Sequence, residues 1–356
     1  MDSTVGVALR GHPSPENING WPQRSTPRNI PASARVFAVV TILCVVSAAA
    51  FASWLPLQVS IVTLFLFAGP HNWFELRYFL MRLPVRFGRS RNFFLTAFAG
   101  LGVLTLTYVA LPFLYNATLW SEEAWYVVIG SWNTALLIWV ASLVWLRSRQ
   151  KPRANWKWTI PVALALCSLN WLGPDLFSLA IVYVHPLIAL WFLDRHIRRT
   201  RPAWSCAYRR CLWLVPLVLA AMIWQLSLAT PLADNNGLFW RITQHSGAEV
   251  LPQISSHMLV SVHLFLEMLH YGVWIIALPL IGRIGSTRFW EVRTVPIARH
   301  PKGFPRIVAG LLIVALVAVG VLWFGFSFDY STTRDVYFTI AIAHVLAEAP
   351  FLLRML

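Results

Sequence analysis

Apolar residues run along this chain in ten long blocks, at roughly 34–56, 58–82, 92–114, 125–147, 156–172, 174–198, 207–229, 254–282, 306–327 and 335–356. Short polar connections separate them. A helix needs about 20 apolar residues to cross a bilayer, and block 156–172 is the shortest of the set. The pattern predicts an all-α, polytopic transmembrane bundle of about ten spans. Residues 1 to about 33 are rich in Pro, Ser, Arg, Asn and Gly and lack periodicity. They are expected to be a disordered cytoplasmic tail, which leaves 34–356 as a single transmembrane domain.

Composition agrees, since the 356 residues are 58% hydrophobic and only 12% charged, about half the charged share of a soluble domain. The net charge of +15 does not indicate a nucleic-acid partner, because the bases sit in short loops between apolar blocks. One set of loops carries Arg82/Arg86/Arg89/Arg91, Arg147/Arg149/Lys151/Arg153, Arg195/Arg198/Arg199/Arg201 and Arg283/Arg288/Arg293. The alternate loops, with Glu122/Glu123, Asp175, Asp234/Glu249 and Asp329/Asp335, are poor in base. By the positive-inside rule this alternation puts both termini in the cytoplasm. A bacterial inner (cytoplasmic) membrane is the expected location, with the lipid bilayer as the main partner and the oligomeric state left open.

Against that apolar background, a few ionisable residues lie where the bilayer core should be. His71 is in the second span, His185 in the sixth, His263 and His270 in the eighth and His344 in the tenth. All four spans run in one direction. His71, His185, His270 and His344 precede the first base at their inner ends by 11, 10, 13 and 10 residues, a spread of about 5 Å at 1.5 Å per residue. Glu75, Glu267 and Glu348 follow His71, His263 and His344 by four residues, the spacing that shares a helix face. His185 has no such acid; Asp194 is nine residues on. His12, His196, His245, His257 and His300 fall in tails, loops or span ends and read as solvated surface groups.

Ionisable groups at membrane depth are costly and by default face the interior and serve a function. Imidazoles from separate helices at one level suit a metal, with Fe(II), Zn or Cu as candidates. His71, His185, His263, His270 and His344 are then the candidate ligands. Glu75 and Glu348 are the orienting carboxylates, and Glu267 is the candidate catalytic carboxylate. His263 and His270 are two turns apart, about 10 Å. One ion reaches both only from midway, level with Glu267; otherwise the eighth span serves two ions or His263 belongs to the entrance. The same residues also suit a metal-free proton relay in a transporter or carrier, or paired axial ligands to haem. The clustered histidine boxes of membrane desaturases are absent.

Ala68-Gly69-Pro70-His71-Asn72-Trp73-Phe74-Glu75 resembles the Pro-His-Gly-x-x-Asp segment of the Brp/Blh-type membrane-bound β-carotene dioxygenases. Tyr183-Val184-His185, Val262-His263 to His270-Tyr271, and Ala343-His344 to Glu348 resemble that family's other histidine segments, in the same order. The resemblance implies a non-haem iron held by His71, His185 and histidines of the eighth span. It also implies an oxygenase that cleaves a carotenoid or related isoprenoid with O₂, and so a hydrophobic small-molecule substrate. Phe65, Phe67, Trp73, Phe74, Tyr78, Tyr183, Trp191, Phe265, Tyr271 and Trp274 flank the histidines and are candidates to line a polyene tunnel.

Overall fold

The computed structural model describes residues 32–84, 87–118, 121–151, 156–233, 237–281, 292, 295–300 and 304–355. The expected tail lies outside the described residues, apart from Ala32 and Ser33, which begin the first helix. The helices are α1 (Ala32–Trp54), α2 (Pro56–Arg82), α3 (Arg91–Thr118), α4 (Glu122–Gln150), α5 (Thr159–Leu172), α6 (Pro174–Thr200), α7 (Ser205–Leu212), α8 (Leu214–Leu226), α9 (Gly237–His245), α10 (Ser256–Tyr271), α11 (Leu278–Ile281), α12 (Pro296–Arg299), α13 (Pro305–Phe328) and α14 (Tyr330–Met355). No strand occurs among the described residues, as a bilayer demands of open segments.

Local sequence sets many of these boundaries. Ser121 caps α4 by accepting a hydrogen bond from the Ala124 N–H, with Glu122 and Glu123 in the first turn and Arg147 and Arg149 in the last, each matched to the helix dipole. Pro56, Pro174 and Pro305 open α2, α6 and α13 in the first turn, where a missing N–H costs nothing. Asp329 turns the chain between α13 and α14 and accepts from the Thr332 N–H at 3.1 Å.

Eight helical stretches are long and apolar enough to cross a membrane. Two of the ten expected spans are not among them, each for a physical reason. The 14-residue α5 is about 21 Å long, short of a bilayer core. The 27-residue α2 is long enough but carries Gln58, His71, Asn72, Glu75 and Arg77. It is also a buried helix, packed against α1, α10, α13 and α14, so it faces protein more than lipid. The expected seventh span bends at Trp213 between α7 and α8. The eighth passes from α10 through a π-helical turn, Gly272–Ala277, into α11.

Helices α2, α6, α10 and α14 form the centre and run the same way, as the ordered contacts along them show. From α2 to α14, Leu64 and Tyr337 share an apolar cluster, His71 meets His344 and Phe79 stacks on Phe351. From α6 to α10, the Tyr183 hydroxyl donates to the Leu259 carbonyl, His185 meets His270 and Phe192 meets Trp274. The middle of α10, Leu259–Leu266, is buried on every face, the mark of a helix wholly inside a protein.

Candidate metal centre

The four central helices bring His71, His185, His270 and His344 together. Ring centroids are 5.3 Å apart for His71–His270, 5.2 Å for His71–His344, 4.6 Å for His185–His270 and 5.0 Å for His185–His344. Metal-binding atoms of His71, Glu75, His270 and His344 all lie within 4.8 Å of one another, and so do those of His185, His270 and Glu348. His71, Glu75, His270 and Glu348 are each no more than 2% exposed.

Hydrogen bonds fix how two of these rings present themselves. His71 Nδ1 stands 2.9 Å from the Phe67 carbonyl, which can only accept, so Nδ1 carries the proton and Nε2 the lone pair. Pro70, just before it, lacks an N–H for the Leu66 carbonyl. His185 Nδ1 lies 3.0 Å from Glu348 Oε2, the carboxylate–histidine pairing that orients metal ligands. Its Nε2 then faces His344 Nε2 at 3.2 Å. Two nitrogens on one ion at about 2.1 Å each stand about 3.0–3.4 Å apart for angles from square to tetrahedral. That separation is therefore what a shared ion requires.

What remains unsatisfied points the same way. His71 Nε2, both nitrogens of His270, His344 Nδ1, both oxygens of Glu75 and Glu348 Oε1 are buried without a hydrogen-bond partner. Each such atom costs about 1–3 kcal/mol, and buried polar groups are ordinarily paired. A cluster of unpaired imidazole nitrogens and carboxylate oxygens of this kind, with one nitrogen available from each ring, fits a transition-metal ion.

Below the histidines lies an aromatic floor of Tyr78, Phe79, Phe192, Trp274 and Phe351. Phe79 and Phe351 stack face to face at 4.3 Å. The π-helical turn directly after Tyr271 aims Trp274 into this floor, a distortion that π-turns often make beside functional sites. On the other side a cavity of about 360 Å³ opens from the cluster. It extends past Tyr108, Leu111 and Pro112 of α3, Trp125 and Ile129 of α4, Ile181 and Val182 of α6, and Tyr337, Phe338 and Ile342 of α14.

Several site residues differ from expectation in partner or place. Glu348 bonds to His185 across the helix interface instead of orienting His344 on its own helix; this is the acid that the His185 segment lacks in sequence. Glu75 sits among the candidate ligands. His263 and Glu267 stand apart from the quartet, grouped with His245 at the end of α9. His245 reads as a surface residue in sequence, yet it lines the cavity. Of the ten aromatic residues expected to line a tunnel only Tyr271 does so; Phe67 is exposed on α2 and the others are partly or fully buried elsewhere, and the cavity takes its aromatic walls from Tyr108, Trp125, Tyr337 and Phe338.

No protein-family model, curated protein or solved structure matches this chain.

Proposed function

We propose that this chain is an integral-membrane, metal-dependent oxygenase of a cytoplasmic membrane, with non-haem Fe(II) as its metal and a lipid or isoprenoid such as a carotenoid as its substrate. The observation that carries the reading is one buried cluster of four imidazoles and two carboxylates, whose polar atoms are largely unpaired. His71, His185, His270 and His344 would hold the ion, with Glu75 as a further oxygen donor. A nitrogen-rich set with oxygen beside it suits iron, zinc or copper, and an apolar chamber suits an oxygen-using iron. When bound, such an ion supplies the redox chemistry that activates O₂.

The protein's own part is positional. Phe67 and Glu348 fix the Nδ1 protons of His71 and His185, so that each ring offers Nε2 inward. The apolar walls from α3, α4, α6 and α14 exclude water and receive a greasy substrate beside the cluster. Metal analysis of the purified protein, wild type against His71→Ala and His185→Ala, tests this. Loss of the quartet's ion, about one equivalent per chain below wild type, is the expected result in both variants; a wild type with no ion that these variants lose removes the proposal. Expression in carotene-accumulating cells then tests the substrate by loss of colour.

One observation favours a second reading. His344, His185 and Glu348 form a continuous chain of close polar contacts, as a proton relay in a carrier would. A relay predicts transport with no ion at the quartet, so comparing wild type with His71→Ala and His185→Ala separates the two.

A further inference from the structure

We propose a second metal site in the same chamber, formed by His245, His263 and Glu267 and selective for a divalent transition-metal ion. It goes beyond the oxygenase reading and does not depend on it. His263 and His270 are seven residues apart on α10, a rise of about 10 Å, and His263 and Glu267 group with His245 and not with His270. The three side chains offer ligand atoms within 4.8 Å of one another. The His245 and His263 rings have centroids 5.2 Å apart. His263 Nδ1 stands 3.9 Å from Glu267 Oε2, too far for a hydrogen bond and suited to two ligands on either side of an ion.

Two further observations point to a ligand here. His263 is 6% exposed, with no hydrogen bond to its ring, and it faces the cavity together with His245 and Glu267. The site is also built rigidly. The Tyr183 hydroxyl meets the carbonyls of Ser246 and Leu259 at 3.0 Å each, tying the end of α9 to α10, and Phe338 stacks on His245 at 3.9 Å. Two imidazoles and one carboxylate, with remaining positions open to the chamber, form the donor set of Fe(II) and Zn sites that also bind a substrate oxygen. Buried Arg334 interacts electrostatically with His263 and Glu267. Its guanidinium lies 4.7 Å over the Phe338 ring and 3.7 Å from the Asp335 carboxylate, which pairs more closely with Arg241.

The test is a metal count on the full chain in detergent, read by elemental analysis and by a Co²⁺ titration followed through its visible absorption. Wild type is expected to take up two ions per chain. His245→Ala and the near-isosteric Glu267→Gln are each expected to take up one, with the Co²⁺ band of one site gone. A His71→Ala/His185→Ala double variant is expected to keep the His245–His263–Glu267 ion. The proposal is overturned if His245→Ala and Glu267→Gln bind as much metal as wild type, or if wild type saturates at one ion that only the double variant loses. A metal content unchanged in the double variant counts against the quartet alone. The wild-type titration needs no variant to fold, and a single Co²⁺ equivalent there with quartet character is by itself sufficient to overturn the second site.

Discussion

Glu348 offers the sharpest separation of a metal ligand's support from ordinary packing. It is fully buried, its Oε2 is 3.0 Å from His185 Nδ1, and its Oε1 has no partner. Replacing it with Met keeps roughly the same volume and changes two terms of opposite sign. Removal of the unpaired Oε1 relieves about 1–3 kcal/mol, while the orphaned His185 N–H costs a similar amount. The metal-free protein should therefore melt within a few degrees of wild type. Metal affinity has no such cancellation. Loss of an orienting partner lowers it by about 10–100-fold, or about 1.4–2.7 kcal/mol. Glu348→Gln keeps an acceptor for Nδ1 and should fall near the lower end. The assay is chelator competition on purified protein, with melting of the chelated samples measured in parallel. If Glu348→Met binds metal as tightly as wild type, or if its affinity and metal-free stability fall together, the assignment of Glu348 as the orienting carboxylate fails.

Two glycines in α3 should respond oppositely to alanine. At Gly100 a Cβ would overlap the Trp139 indole, whose Nε1 donates to the Thr96 carbonyl, so Gly100→Ala should cost about 1–3 kcal/mol in thermal or denaturant unfolding. At Gly102 a Cβ meets nothing within 4 Å, and Gly102→Ala should be neutral or gain up to about 1 kcal/mol. Trp73→Phe removes the buried bond from Nε1 to the Leu312 carbonyl at 3.0 Å and should loosen α13 from α2 by about 1–3 kcal/mol, read by the same melts. Cysteine labelling in intact cells should find the end of α4 at Gln150 and the end of α14 on the cytoplasmic side and the turn at Asp329 on the other; a membrane-impermeant label reaching both ends of α2 would break the expected ten-span topology.

The parts of this protein readable from sequence are those that depend on helix geometry alone. Eight apolar helices follow from hydropathy. The levels of His71, His185, His270 and His344 follow from counting to the basic loop ends, and the central helices do bring those rings together. Spacing also places His344 and Glu348 on one face correctly, for both meet His185. It fails on the partner, because four residues of separation say which face is shared but not which helix packs against that face. The aromatic tunnel fails for the same reason: Trp73, Tyr78 and Trp274 lie near the histidines in sequence yet point into interhelical packing or the floor. His245 leaves no signal, since its nine-residue helix sits between two spans and only the fold carries it to His263. The polar content that keeps α2 from the set of membrane-competent helices is itself the trace of the site.

The same trace bears on what the protein is like without an ion. The unpaired atoms around His71, Glu75, His270, His344 and Glu348 each carry a desolvation cost, against a net stability for a folded chain of only about 5–15 kcal/mol. The aromatic floor of Tyr78, Phe79, Phe192, Trp274 and Phe351 holds the four helices at their present spacing, so they do not relax apart to let water pair those atoms. An ion that takes one nitrogen from each ring and a carboxylate oxygen satisfies part of this set, and it binds the folded state and not the unfolded one. Held at about 1,000 times its dissociation constant, it contributes about 4 kcal/mol. Melting of the wild type should therefore move upward on loading with Fe(II) or Zn²⁺ and back on chelation, with a smaller response in His71→Ala. Loaded and chelated wild type melting together would mean that these atoms find their partners in some other way, and that the buried imidazoles are not a metal's ligands.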